Sequence, residues 1–138
     1  MKKRVFGRKF SRAQKGRHAL LRSLVREFVL RGEINTTKPR AKYIKPVIDR
    51  LVTISKKQTL EGHRRLEAFF AHDGEAVSKL EDAARNFVSI ISGYSTVVAL
   101  GVRRGDAAPM VRIAWKKVEG ALEKASNVNK GVEEQDEK

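Results

Sequence analysis

The stretch "STVVALGVRRGDAAPMVRIAW", residues Ser95 to Trp115, decides the fold class. Ser95–Leu100 and Val111–Val118 are rich in β-branched and apolar residues. In the second run Val111, Ile113 and Trp115 alternate with Arg112, Ala114 and Lys116, the period of a strand with one buried and one wet face. The segment between them, Gly101 to Met110, carries Gly105-Asp106. Glycine reaches positive φ without penalty and aspartate hydrogen-bonds its own backbone, so this is turn chemistry. The residues therefore predict an antiparallel strand pair joined by a loop of about ten residues, with Arg104-Gly105-Asp106 at its tip. A receptor-ligand reading of that tripeptide would need a secreted chain. The basic start "MKKRVFGRKF" lacks the apolar run of a signal peptide.

Upstream the period is helical. Ser11 followed by Gln14 has the form of a capping box and predicts a helix start there. Leu20, Leu21, Leu24 and Phe28 form its apolar stripe, Arg12, Lys15, Arg22 and Arg26 fall on the opposite side, and Gly32 is a suitable stop. Glu33–Thr37 reads as a short strand. Pro39 suits the first turn of a second helix, whose residues Ala41, Ile44, Ile48, Leu51, Val52 and Ser55 share one face. Pro46 predicts a kink or a restart within it. Third and fourth helices follow at about Leu60–Ala71 and Glu75–Phe87, the latter capped by Asp73. Phe28, Phe69, Phe70 and Trp115 read as core. The domain plan is a basic arm over 1–10, one domain over 11–118 and a mobile acidic tail over 119–138.

With 138 residues the chain fits one domain, which can bury roughly two-thirds of its unfolded surface. It has no cysteine, which removes disulfides and thiolate chemistry. The net charge is +14 and very uneven: residues 1–60 hold 18 basic and 3 acidic side chains, the remainder 12 and 13. A bland solvated surface would mix both signs; this distribution implies a polyanionic partner facing the basic half. Nucleic acid is the leading reading and an anionic membrane surface the weaker one. Basic residues gather in three places: the arm with the first helix, the junction "TTKPRAK" (Thr36–Lys42) and the loop Arg103-Arg104. At the junction a helix N-terminus, the hydroxyls of Thr36 and Thr37, and Lys38, Arg40 and Lys42 together suit a phosphate.

Catalytic readings find little support. His18, His63 and His72 offer no convergent third or fourth metal ligand. Asp73, Glu75, Glu81 and Asp82 resemble an ordinary helix surface, and no phosphate-binding glycine loop is present. The expectation is a non-enzyme without metal, cofactor or small-molecule substrate. The aromatic residues are few, so base stacking is poorly supported.

The order of motifs resembles the family of bacterial large-subunit ribosomal protein seventeen, to about residue 118. The resemblance is carried by "GRKFSR" and "ALLRSLV", by "INTTKPRAKYIKPVIDRLVTISKK", "RRLEAFF" and "SGYS", and by "GVRRGDAAPMVRI". It implies an α+β fold, with helices packed on a small three-stranded, mostly antiparallel sheet. It also implies a cytoplasmic structural component of the large ribosomal subunit, bound to its long ribosomal RNA near the nascent-chain exit. The implied partners are that RNA and neighbouring ribosomal proteins, without membrane or homo-oligomer. Carried over by position, the RNA-facing residues are Arg4, Gly7, Arg8, Arg12, Arg17, Arg22, Thr36, Thr37, Lys38, Lys42, Tyr94 and Arg103; the residue reading adds Lys9, Arg26 and Arg40. Where the family often has Thr-Arg and then Lys after Gly-Tyr, this chain has Ser95-Thr96 and Ala99, which shifts the expected RNA contact toward the arm and first helix. The family also commonly begins Met-Arg-His, against Met1-Lys2-Lys3 here, and Gly16 replaces a usual histidine before Arg17. The different-class alternatives are a free-standing architectural nucleic-acid binder and a nuclease or RNA-modifying enzyme using Asp73 or Glu75.

Overall fold

A strand from the end of the described chain lies in the middle of the sheet. The computed structural model describes residues 8–117, so Arg4, Gly7 and the expected tail lie outside the described residues. The elements are α1 (Gln14–Arg31), β1 (Glu33–Thr37), α2 (Lys38–Lys56), α3 (Leu60–Phe70), α4 (Gly74–Arg85), β2 (Ser95–Val102) and β3 (Pro109–Trp115). The sheet order is β1-β3-β2, antiparallel throughout. Ile34 pairs with Ile113 and Val97 with the same residue from the other side. The expected α+β class and three-stranded sheet are thus present. The connecting loop is shorter than the sequence suggests, running from Arg103 to Ala108. Arg103 N–H donates to the Ala108 carbonyl at 2.9 Å, which carries the ladder two residues further on each side.

The helices cover one face of this sheet. All six residues expected to share a face of α2 are buried, and Ile44, Ile48 and Val52 are almost wholly so. They meet Val25 and Phe28 of α1, Leu66 of α3, Leu80 of α4 and Ile113 of β3 in one core. Phe28 and Phe70 are core as expected, while Phe69 and Trp115 are only partly buried. Helix α2 runs unbroken through Pro46, so the expected restart does not occur. Its continuous apolar face packs on three neighbouring helices, and such packing outweighs one lost backbone hydrogen bond. Gly32 ends α1 as expected: it adopts φ +78°, and its N–H donates to the Phe28 carbonyl at 2.8 Å.

Two expectations for α1 need correction. The Ser11–Gln14 capping box is not formed; the helix begins at Gln14 with Ala13 as its extended cap residue. Phe10 and Ser11 both take positive φ in a turn closed by Arg12 N–H and the Lys9 carbonyl, and Phe10 meets Tyr43 edge-on at 5.1 Å. That contact draws the chain away from a helical entry at Ser11. The buried face of α1 is Leu21, Val25, Phe28 and Val29, rotated from the expected stripe, and Leu20 and Leu24 are only half-buried. At the junction to β1 a Cβ on Gly32 would lie 3.6 Å from the Trp115 ring, and the Trp115 N–H donates to the Gly32 carbonyl at 3.3 Å.

Candidate nucleic-acid interface

The three basic segments, distant in sequence, converge on one concavity of about 650 Å³. It is lined by Arg8, Lys9, Phe10, Ser11 and Arg12 from the chain entering α1. Thr37, Pro39 and Arg40 come from the junction, and Arg103 from the β2–β3 loop. No acidic residue lines it. Strand β1 ends at Thr37 beside β3, so the start of α2 lies next to the loop that leaves β2. The edge-on contact of Phe10 with Tyr43 of α2 holds the entering chain against the same helix.

The first turn of α2 suits an anion. Thr59 and Asp73 cap α3 and α4 by accepting from Gly62 N–H and Ala76 N–H, at 3.1 and 3.3 Å. Thr37, at the corresponding place before α2, makes no such bond. The first-turn N–H groups therefore have no side-chain acceptor, and an oxyanion can take that place. Two arginines at this end of α1 are held by backbone carbonyls. Arg12 Nη1 donates to the Phe10 carbonyl at 3.0 Å, and Arg17 Nη1 to the Arg12 carbonyl at 2.9 Å.

The loop behaves as its turn chemistry implies. Gly105 adopts φ +99°, and Asp106 Oδ1 accepts from Ala108 N–H at 3.3 Å. The Asp106 carboxylate also accepts from Arg103, from Nε at 3.1 Å and from Nη2 at 2.6 Å. The Arg103 guanidinium holds the Asp106 carboxyl down at about 2, and the carboxylate in turn raises Arg103. This fork fixes the Arg103 side chain while Nη1 stays out of the bond to Asp106.

Other expected positions lie elsewhere. Arg22, Lys38 and Lys42 are exposed but outside the concavity, and Arg17 is half-buried on α1. Arg26 Nε pairs with Asp73 Oδ2, and this bond lowers the Asp73 carboxyl below its ordinary range. Thr36 is buried opposite Val111. Tyr94 is also buried: its ring packs on Phe87, its hydroxyl donates to the Ile91 carbonyl at 2.7 Å, and its N–H donates to Asp49 Oδ1 at 3.1 Å. Neither the Tyr94 nor the Thr36 side chain faces solvent. Phe10, Ser11 and Pro39 line the concavity without being expected to face RNA; Phe10 was legible only as one of two phenylalanines in a basic arm.

The four carboxylates weighed for catalysis each have a basic partner. Asp73 pairs with Arg26, Glu75 with Lys79 at 3.0 Å, Glu81 with His63 at 2.8 Å and Asp82 with Arg85 at 3.5 Å. Among the described residues no group of three or more metal-ligating side chains converges, and no helix is long and apolar enough to cross a membrane.

Comparison with known proteins places this geometry in context. The family model described as Ribosomal protein L17 matches residues 20–116. A large ribosomal subunit protein bL17 from Coprothermobacter proteolyticus is 43% identical over 118 residues, covering 85% of this chain and 100% of the relative. The protein of the same name from Thermomicrobium roseum is 40% identical, covering 83% and 98%. That from Heliobacterium modesticaldum is 36% identical, covering 75% and 92%.

Proposed function

Because the chain belongs to the Ribosomal protein L17 family, we propose that it is a structural protein of the large ribosomal subunit in the cytoplasm, without catalytic activity. It binds large-subunit ribosomal RNA through the concavity, beside neighbouring ribosomal proteins and near the nascent-chain exit. The observation that supports the RNA contact most directly is the convergence of Arg8, Lys9, Arg12, Arg40 and Arg103 from three separate segments on one acid-free hollow. A site made of guanidinium and ammonium groups, a helix N-terminus and the hydroxyls of Ser11 and Thr37 suits sugar-phosphate backbone, not base edges. It reads shape, where RNA strands crowd their phosphates together. Arg103, with two of its donors on Asp106, offers Nη1 to a phosphate in a set direction.

Sedimentation tests the reading. The full-length protein should travel with large subunits from a lysate and stay with them in moderate salt. Recovery with DNA instead would identify an architectural DNA binder, and recovery in neither fraction would overturn the ribosomal reading.

A further inference from the structure

Every carboxylate among the described residues already faces a basic side chain or a backbone N–H. The hollow at the start of α2 shows the opposite imbalance. Of the cations that line it, only Arg103 is paired, with Asp106, while Arg8, Lys9, Arg12 and Arg40 form no ion pair among the described residues. The carboxylates still to be placed are Glu119, Glu123, Glu133, Glu134, Asp136 and Glu137, all beyond the end of the described residues. Glu133, Glu134, Asp136 and Glu137 fall within five residues of one another. So dense an acidic run is matched by a cluster of cations better than by the exposed Lys116 and Lys117, where the described chain leaves the sheet.

The topology permits the return. Strand β3 starts at Pro109 beside Val102, near the hollow, and ends at Trp115 beside Ser95, at the other end of the sheet. A strand of this length covers about 20–25 Å. Residues 118–132 can extend to about 50 Å, which brings the acidic run within reach of the hollow. A tether of this kind acts at an effective concentration on the order of millimolar. At micromolar protein the chain's own carboxylates therefore reach the hollow ahead of those on a second copy.

We propose that Glu133, Glu134, Asp136 and Glu137 occupy the hollow of their own chain when RNA is absent, an autoinhibitory contact that RNA displaces. The inference rests on the reading of the hollow as the RNA contact. Carboxylate oxygens accept from guanidinium forks and from first-turn N–H groups as phosphate oxygens do. Competition lowers the affinity of every ligand of the hollow by one factor, so polyanions that bind it weakly are lost first.

Carbodiimide, which joins a carboxylate to a nearby amine, tests the contact on the full-length chain free of RNA. Lys9 supplies the one amine among the lining residues. In a mixture of unlabelled and nitrogen-15 chains, Lys9 should be joined to the run 133–137 within single chains, and large-subunit RNA should suppress the product. Arg8→Ala, Arg12→Ala and Arg40→Ala together should lower its yield at least roughly threefold. Glu133→Gln, Glu134→Gln, Asp136→Asn and Glu137→Gln together should tighten binding of a short unrelated RNA by a similar factor, and should do nothing in the triple-alanine background. Absence of the Lys9 product, products between chains, a product that persists with RNA bound, or an equal gain in both backgrounds would each overturn the inference alone. A chain that binds no large-subunit RNA, with or without the four neutral substitutions, would overturn the RNA reading and this inference with it.

Discussion

The concavity and the surface of α3 and α4 carry comparable numbers of cations and treat them in opposite ways. On α3 and α4 nearly every basic side chain meets a carboxylate: Arg65 with Glu61, Lys79 with Glu75, Arg85 with Asp82, and His63 with Glu81. The hydrogen bond from Glu81 raises His63 above the ordinary histidine value. In the concavity, Arg8, Lys9, Arg12 and Arg40 form no ion pair among the described residues, and Arg103 alone is paired, with Asp106. Exposed pairs add little stability, so the pairing on α3 and α4 mainly cancels charge. The comparison teaches that net charge is a poor guide to a binding surface. The useful quantity is cation density left without a carboxylate, and the fold concentrates it at one end of α2.

The strongest way to break this comparison is to neutralise both regions equally. Arg8→Ala, Arg12→Ala and Arg40→Ala together should make the dependence of log affinity on log salt shallower by roughly two to three. Titration of large-subunit RNA at several salt concentrations measures this. Arg65→Ala, Lys79→Ala and Arg85→Ala together should leave the slope unchanged, and equal slopes for the two triple variants would erase the distinction.

A smaller effect sharpens the part played by the loop. Gly105→Val meets no atom within 4 Å, so its cost comes from the backbone alone, about 1–2 kcal/mol of stability at positive φ. Because the loop positions Arg103, RNA affinity should fall with it. Thermal melts and titrations that both match the unsubstituted protein would show that the turn sets nothing.

The smallest effect separates two arginines one helical turn apart. Arg26→Ala should lower the melting temperature slightly, through loss of the bond to Asp73, and leave RNA affinity unaltered. Arg22→Ala, outside the concavity, should leave both unaltered. If both variants lose RNA affinity alike, the contact surface extends down α1 and the bond to Asp73 does not withhold Arg26 from it.

Much of the fold was legible because its signals are local. The apolar face of α2, the stop at Gly32, the Asp73 cap and the alternation in β3 each follow from residues a few places apart. The three basic segments were legible too, but their convergence was not, since only the β1–β3 pairing brings Thr37 and Arg40 near Arg103. Long-range partners also decide the positions where the structure departs from expectation. Phe10 leans on Tyr43 and cancels the Ser11 cap, Asp73 engages Arg26 from 47 residues away, and Phe87 and Asp49 hold Tyr94 inside. None of these pairings leaves a periodic trace in the sequence.

The central place of β3 has a consequence for the order of events during synthesis. Asn35 and Arg112 meet across 77 residues, so β1 waits for its partner until all four helices have been made. Contacts this distant slow folding, because a long chain must close before they form. Arg103 belongs to the same late segment. A nascent chain halted before Pro109 would hold its helices and most of its cations, yet β1 and β2 would have no strand between them.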